Sequence, residues 1–235
     1  MERRGGSKAN GGSLILVEAA VETLEEALAA ERAGADRIEL CANLSDGGTT
    51  PSAGLIAAVV GQTKLPVVVM IRARGGDFVY SDDEIDAMTR DIELAGEGGI
   101  AGIVTGVLTA DGHVDVERTR ALVHAAAGLP VTFHRAFDST GDLPDALEEL
   151  IQIGVSRVLT SGSAATALEG AATIAALIDQ ARAWISIIAG GGIREHNVRD
   201  VVARTGAREV HSRLVDEASM RALVDVLKSN TSVSF

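Results

Sequence analysis

Residues that could take part in catalysis or binding lie at the carboxyl ends of short apolar runs in this sequence. Their types can carry charge, transfer protons, bind metals or offer backbone N–H groups. The set comprises Glu39, Cys41, Arg72, Arg74, His134, Arg135, Asp138, Ser161, Gly190, Gly191, Gly192 and His211. Glu39, His134 and Asp138 are candidates for acid–base catalysis, because carboxylates and imidazoles are common proton-transfer groups in enzymes.

The arginines and the glycine run of this set predict a site for a small anion. Arg72, Arg74 and Arg135 can hold a carboxylate or a phosphate through charge-assisted hydrogen bonds. The glycines at 190–192 precede a predicted helix, so their N–H groups can complete the site, and Ser161 and His211 are expected to contribute to it. The alternative for the glycine run is a tight turn that needs small residues.

Cys41 is the candidate metal ligand. Cu(I) prefers thiolate and thioether donors, and the chain offers one cysteine and four methionines. Among them only Cys41 and Met70 lie on adjacent predicted strands. The histidines show no H-E-x-x-H or i, i+4 pair, so no zinc site is predicted. A lone cysteine on a strand also fits a small buried hydrophobic residue, and both interpretations stay open.

Composition narrows the classes of partner. With 21 basic and 33 acidic residues the net charge is −12, which opposes binding to nucleic acids or to anionic membrane surfaces. The apolar runs are shorter than the roughly 20 residues of a membrane span, and no secretory leader is visible. A single cysteine excludes an internal disulfide and fits a reducing compartment. We therefore expect a cytoplasmic protein. No organic cofactor is predicted. An open doubly wound sheet is the structural alternative to a barrel, but no strand is followed by the G-x-G-x-x-G fingerprint that would favour it.

The strands and helices that must position these residues can be predicted from a pattern that repeats eight times. Apolar runs and amphipathic segments alternate eight times, and the chain of 235 residues is close to the roughly 250 of a (β/α)8 TIM barrel. The predicted strands are 14–19, 36–41, 66–72, 100–105, 130–135, 155–160, 184–189 and 208–212. We predict one α/β domain, a (β/α)8 barrel over 14–235, after a flexible leader over 1–13 that is rich in Gly, Ser, Asn and Arg.

Local patterns set the helix ends. Ser81 and Glu84 form a predicted capping box, and Pro144 falls in the first turn of a helix. Four glycines each end a helix shortly before an even-numbered strand: Gly34, Gly99, Gly154 and Gly206.

Strand alternation predicts which side chains face inward together. Glu39 shares a face with Cys41, Arg72 with Met70, and His134 with Thr132. We expect the three arginines and His134 to face a shared cleft, with Glu39 or Asp138 within salt-bridge reach of an arginine. A self-satisfied polar plug at the end of the core is the alternative.

Seven segments, in order, carry a family resemblance. RIELC (37–41), GGTTPS (47–52), MIRARGGDF (70–78), FHRAFD (133–138), LTSG (159–162), AGGGI (189–193) and EVHS (209–212) resemble the CutC family, known as copper homeostasis proteins. The resemblance extends from residue 15 to 225 and departs mildly at Thr49, Ala73 and Ser163. It implies a cytoplasmic barrel, often a homodimer, associated with copper binding. Its motifs contain Glu39, Cys41, Arg72, Arg74, His134, Arg135, Asp138 and His211.

Three functional hypotheses follow. The first is a CutC-type protein that binds copper through Cys41. The second is a TIM-barrel enzyme of isomerase or lyase type, in which the arginines hold a small anion and Glu39, His134 or Asp138 transfers protons. The third is a non-catalytic sensor of a small molecule, which needs the arginines but not the proton-transfer groups.

Overall fold

Strands and α-helices alternate along the chain in the computed structural model, which describes residues 15–213 and 216–228. The strands are β1 (Leu16–Val21), β2 (Arg37–Leu40), β3 (Val67–Met70), β4 (Gly102–Thr105), β5 (Val131–Phe133), β6 (Arg157–Thr160), β7 (Ser186–Gly190) and β8 (Glu209–Arg213). The helices are α1 (Leu24–Ala33), α2 (Ala53–Gln62), α3 (Asp82–Glu97), α4 (Val116–Ala125), α5 (Leu143–Gln152), α6 (Ala171–Ala181), α7 (Val198–Thr205) and α8 (Glu217–Lys228). Each predicted strand is found, with ends that differ by a few residues.

The eight strands close into a parallel barrel. Each strand pairs with its sequence neighbour, and β8 pairs with β1. The register sets Glu18 of β1 opposite Arg37 of β2 on one side and His211 of β8 on the other. The predicted (β/α)8 barrel is thus confirmed. The predicted leader over 1–13 lies outside the described residues and stays a prediction.

Helix ends follow the predicted local chemistry. Ser81 and Glu84 form the capping box of α3, and Pro144 lies in the first turn of α5. The four glycines predicted to end helices all have positive φ. Among the described helices, none is long and apolar enough to cross a membrane.

Two layers of buried side chains lie on opposite faces of the strands. The outer layer, which includes Ile38, Val69 and Phe133, packs between the strands and the helices. A small separate cluster of Cys41, Val68, Met70 and Val104 lies inside the barrel. Barrel interiors are usually filled by branched apolar residues. In this barrel the inward positions of β1, β2 and β8 instead carry charged side chains, and these need partners because a buried lone charge is costly.

Candidate functional site

A network of buried charges crosses the closure between β8 and β1. The Arg37 guanidinium donates from Nε to Glu18, and from Nη2 to Glu209 at 2.6 Å. His211 Nδ1 lies 2.8 Å from Glu18 Oε1. Glu18 and Arg37 are almost fully buried. Since these partners come from β1, β2 and β8, the network depends on closure of the barrel.

Glu39 extends this network toward the mouth of the barrel. Its Oε2 lies 3.8 Å from His211 Nδ1 and, although buried, has no hydrogen-bond partner within the described part of the chain. Its Oε1 accepts a hydrogen bond from the Cys41 thiol at 3.3 Å. Ligand atoms of Glu18, Glu39 and His211 all lie within 4.8 Å of one another. Such a set of carboxylates and an imidazole could hold a metal ion, but Arg37 brings a positive charge to Glu18.

The surroundings shift the pKa values of Glu18, Glu39 and His211 in different directions. Burial tends to raise the pKa of Glu18, but the His211 hydrogen bond and the Arg37 charge outweigh it and lower that pKa to about 2. Burial raises the pKa of Glu39. Burial opposes the charged form of His211, yet the Glu39 charge and the Glu18 hydrogen bond raise its pKa. The two glutamates, one layer apart, therefore differ in role: Glu18 stays ionised, and Glu39 holds a proton more readily.

The low pKa of Glu18 predicts an acid-sensitive contribution to stability. A lowered folded-state pKa stabilises the protein above the ordinary value of 4.5, and this contribution is lost as the pH falls toward about 2. In Glu18→Gln the contribution is absent. We expect the difference in unfolding free energy between wild type and variant to shrink by about 1.4 kcal/mol per pH unit in this range. Urea unfolding of the metal-free protein measures it, and a difference that stays constant with pH would contradict the assignment.

Two sulfur-containing side chains lie together above Glu39. The Cys41 thiol is fully buried, and burial, with the nearby Glu39 carboxylate, raises its pKa well above the usual range. A Cβ atom built on Gly48 would lie 3.4 Å from Cys41 Sγ and 3.2 Å from Met70 Cε. Gly48 has φ +90°, which also favours glycine. The loop after β2 thus approaches the two side chains at a point where a larger residue would intrude.

Arg72 faces inward, but its guanidinium is used to hold two loops. Nη1 donates to the carbonyl oxygens of Asp46 and Gly48, both at 2.9 Å, and Nη2 donates to that of Gly76 at 2.8 Å. The loop after β2 is thereby joined to the loop after β3. The Arg72 side chain is buried and lies 4.9 Å from the centre of the Phe78 ring.

Arg74 does not join the predicted arginine cluster. Its Nε donates to Glu84 at 2.6 Å and its Nη1 to Asp77 at 2.9 Å, while Nη2 donates to the carbonyl of Val79. The sequence argument set only Glu39 and Asp138 against the three arginines. Asp77 and Glu84 are nearer to Arg74 along the chain and pair with it, so its charge is already balanced within the loop after β3 and the start of α3.

Arg135, Asp138 and Ser161 form a separate polar cluster at the ends of β5 and β6. Arg135 donates from Nε to Asp138 at 2.9 Å and from Nη2 to Ser161 Oγ at 2.8 Å. This is the expected contact between an arginine and Asp138. Asp138 also accepts from the Thr160 hydroxyl and from the N–H groups of Ser161 and Ser163. Burial raises its pKa, but these hydrogen bonds outweigh burial and lower it, so Asp138 is an ionised anchor.

The glycines after β7 allow close packing beside this cluster. A Cβ on Gly190 would lie 2.5 Å from Leu159 Cδ1, and one on Gly191 would lie 3.0 Å from Ser161 Cβ and 3.7 Å from Arg135 Cζ. The carbonyl of Gly192 accepts a hydrogen bond from Asn197 Nδ2 at 2.8 Å. The structure therefore brings the glycine run to Arg135 and Ser161, but not to Arg72 or Arg74.

His134 lies inside the barrel with one ring nitrogen unused. Its Nδ1 accepts a hydrogen bond from the Ala136 N–H at 3.1 Å, and its Nε2 is buried with no partner among the residues that the structure describes. Burial, reinforced by the Arg72 charge, lowers its pKa to about 3. The ring centre lies 5.0 Å from that of Phe78. His134 is thus a neutral imidazole near Arg72.

Sequence reasoning placed Glu18 at the carboxyl end of the first strand without a role, and it did not select Arg37 or Glu209, although these three side chains form the network that holds His211. The available indication was a charged residue at an inward position of a strand that otherwise reads as buried. Glu18 in LVEAAV and Arg37 in RIEL are two such cases.

Comparisons with known proteins point to the same family as the seven sequence segments that resemble the CutC family. The model of the CutC family matches residues 15–215. A human protein named copper homeostasis protein cutC homolog is 50% identical over 204 residues, which are 87% of this chain and 75% of the human one; the mouse protein of the same name matches equally. A crystal structure of a CutC protein from Streptococcus agalactiae superposes with a TM-score of 0.80 at 37% identity, covering 84% of this chain and 97% of that one. A phosphoribosylanthranilate isomerase from Thermotoga maritima, with a TM-score of 0.61 at 14% identity, shares the fold.

Proposed function

This chain belongs to the CutC family, and from that premise we propose that it acts in copper homeostasis by binding Cu(I), with Cys41 as the thiolate ligand. The observation that carries the proposal is the position of the Cys41 thiol. It is buried inside the barrel, next to Met70, and is hydrogen-bonded to a carboxylate. The names of the human and mouse relatives refer to copper homeostasis, which supports the same metal.

The two sulfur atoms suit Cu(I) better than the carboxylates do. Thiolate and thioether donors favour Cu(I), whereas carboxylate and imidazole sets favour harder or divalent ions. Arg37 also opposes a cation beside Glu18. We therefore assign Cu(I) to Cys41 and Met70, whose side chains both reach the point in front of Gly48.

Glu39 has the position needed to receive the thiol proton. A cysteine must lose its proton to become a thiolate ligand, and the Cys41 thiol already points at Glu39 Oε1. The raised pKa of Glu39 favours the protonated carboxyl form. When the proton then leaves Glu39 for the solvent, Cu(I) has replaced it at the site. Both carry one positive charge, so the net buried charge is unchanged. This balance favours Cu(I) over a divalent ion.

Substitution of Met70 tests this ligand set. We expect the wild type to bind one Cu(I) per chain, measured by competition with a chromophoric Cu(I) chelator under anaerobic conditions. Met70→Leu preserves volume but removes the thioether, so we expect it to weaken binding by about tenfold.

Met88→Leu is the matched control, because Met88 is equally buried but lies on α3 in the outer core. It is expected to bind Cu(I) like the wild type. No stoichiometric binding to the wild type would overturn the proposed function. Equal affinities in the two variants would remove Met70 from the ligand set.

A cytoplasmic location and a homodimer belong to the same proposal. A reducing compartment keeps a single cysteine as a thiol, which the proposed ligand role requires. Sedimentation velocity measures the oligomeric state.

A further inference from the structure

Two side-chain N–H groups are buried near Phe78 without an acceptor among the described residues: Arg72 Nε and His134 Nε2. A buried donor without a hydrogen bond typically costs more than a paired one contributes, so such a pair indicates a missing acceptor. Neither group belongs to the proposed copper ligands.

The hydrogen-bond pattern fixes the proton on His134. Because Nδ1 accepts from the Ala136 N–H, the neutral ring carries its hydrogen on Nε2. A neighbouring glycine keeps space for this ring, since a Cβ on Gly106 would lie 2.6 Å from His134 Cε1. His134 is therefore held as a donor that points into the barrel.

Arg72 contributes unused donors and a positive charge, which helps to lower the pKa of the exposed Asp77 carboxyl. Its two terminal nitrogens donate three of their four N–H groups to loop carbonyls, which leaves Nε and one N–H group of Nη2. Among residues 15–213 and 216–228 no acidic side chain forms an ion pair with Arg72. Burial raises the pKa of the Tyr80 hydroxyl, and its hydrogen-bonding contact with Arg72 and the Arg72 charge oppose that rise, so this hydroxyl lies beside the same guanidinium.

The Phe78 ring contacts both donors. Its centre lies 4.9 Å from Arg72 Cζ and 5.0 Å from the centre of the His134 ring. The half-buried Phe78 comes from the loop after β3 and covers the pair. A ligand between the two donors would thus lie beneath an aromatic side chain.

We propose that Arg72 Nε and His134 Nε2 bind one oxygen of a small carboxylate ligand beneath Phe78. One oxygen has two lone pairs, which match two single donors on different side chains. One negative charge matches the charge of Arg72. A phosphate dianion would bring a second negative charge, which Arg72 alone does not balance. Such a site fits an enzyme or a sensor for a small organic acid, and it uses residues distinct from Cys41 and Met70.

Two substitutions of His134 separate the ligand-binding donor from the structural acceptor. In His134→Asn the side-chain oxygen can replace Nδ1 as the acceptor for Ala136, but the Nε2 donor is lost. In His134→Gln the amide nitrogen can replace the Nε2 donor, but the acceptor for Ala136 is lost. Pyruvate is the probe, and inorganic phosphate is the comparison.

Titrating pyruvate into metal-free, nitrogen-15-labelled protein should shift the His134 Nε2 resonance in the wild type. Calorimetry should show binding weakened about tenfold or more in His134→Asn and largely kept in His134→Gln. Phosphate should bind more weakly than pyruvate. Cys41→Ser should bind pyruvate like the wild type, so this result does not depend on copper binding.

The proposal is overturned if pyruvate leaves the wild-type resonance unchanged, or if it binds His134→Asn as tightly as the wild type. Stronger binding of phosphate than of pyruvate would reject the carboxylate assignment.

Discussion

Cys41→Ser is expected to reduce Cu(I) affinity by at least about a hundredfold, the largest functional effect that the structure predicts. A hydroxyl group is a poor ligand for Cu(I), which prefers sulfur. Serine can still donate a hydrogen bond to Glu39 in place of the thiol. The barrel should therefore stay folded while the soft ligand is lost, which chelator competition and urea unfolding can measure on the same samples.

Cys41→Ala gives a second measurement, because it removes the hydrogen bond to Glu39 together with the sulfur. We expect both Cys41 variants to lose Cu(I) binding and Met88→Leu to keep it. Retention of wild-type affinity in Cys41→Ser would show that the metal binds elsewhere, and the Glu18, Glu39 and His211 group would then be the next candidate.

Arg37→Met is expected to give the largest loss of stability, about 3–5 kcal/mol of unfolding free energy. The guanidinium joins Glu18 and Glu209, and its removal leaves carboxylates inside the barrel without their partner. Methionine fills much of the volume but offers no donor. Urea unfolding at neutral pH measures the loss.

Arg74→Met is the matched control, because Arg74 also bonds two carboxylates but is 40% exposed. Its loss should cost no more than about 1 kcal/mol. Adding Glu18→Gln to Arg37→Met should recover part of the lost stability, since it removes one unpaired charge. Similar losses for the two arginine variants would refute the buried network as a source of stability.

Local patterns explain why the fold was predictable from the sequence. The capping box of Ser81 and Glu84 and the apolar runs of the strands act over a few residues. Strand alternation likewise predicted that Glu39 and Cys41 share a face, and the two side chains are hydrogen-bonded.

The contacts of the candidate site join residues that are far apart in the sequence or that lie in loops. His211 meets Glu18 only because β8 pairs with β1, 193 residues away in the sequence. Arg74 pairs with Asp77 and Glu84 because a loop conformation places them within reach, and strand alternation does not describe loops. Arg72 was expected to need a carboxylate, but backbone carbonyls from two loops satisfy most of its donors.

The pairing of β8 with β1 also has a consequence for the order of folding. Glu18 can pair with Arg37 of the neighbouring strand β2 while the sheet is still open, but it gains His211 only when the ends meet. Contacts between such distant segments form late, because loop-closure entropy must be overcome first. A nascent chain that lacks β8 therefore exposes the edge of β1, and we expect the charged Glu18 and Arg37 side chains at that edge to disfavour pairing with another chain.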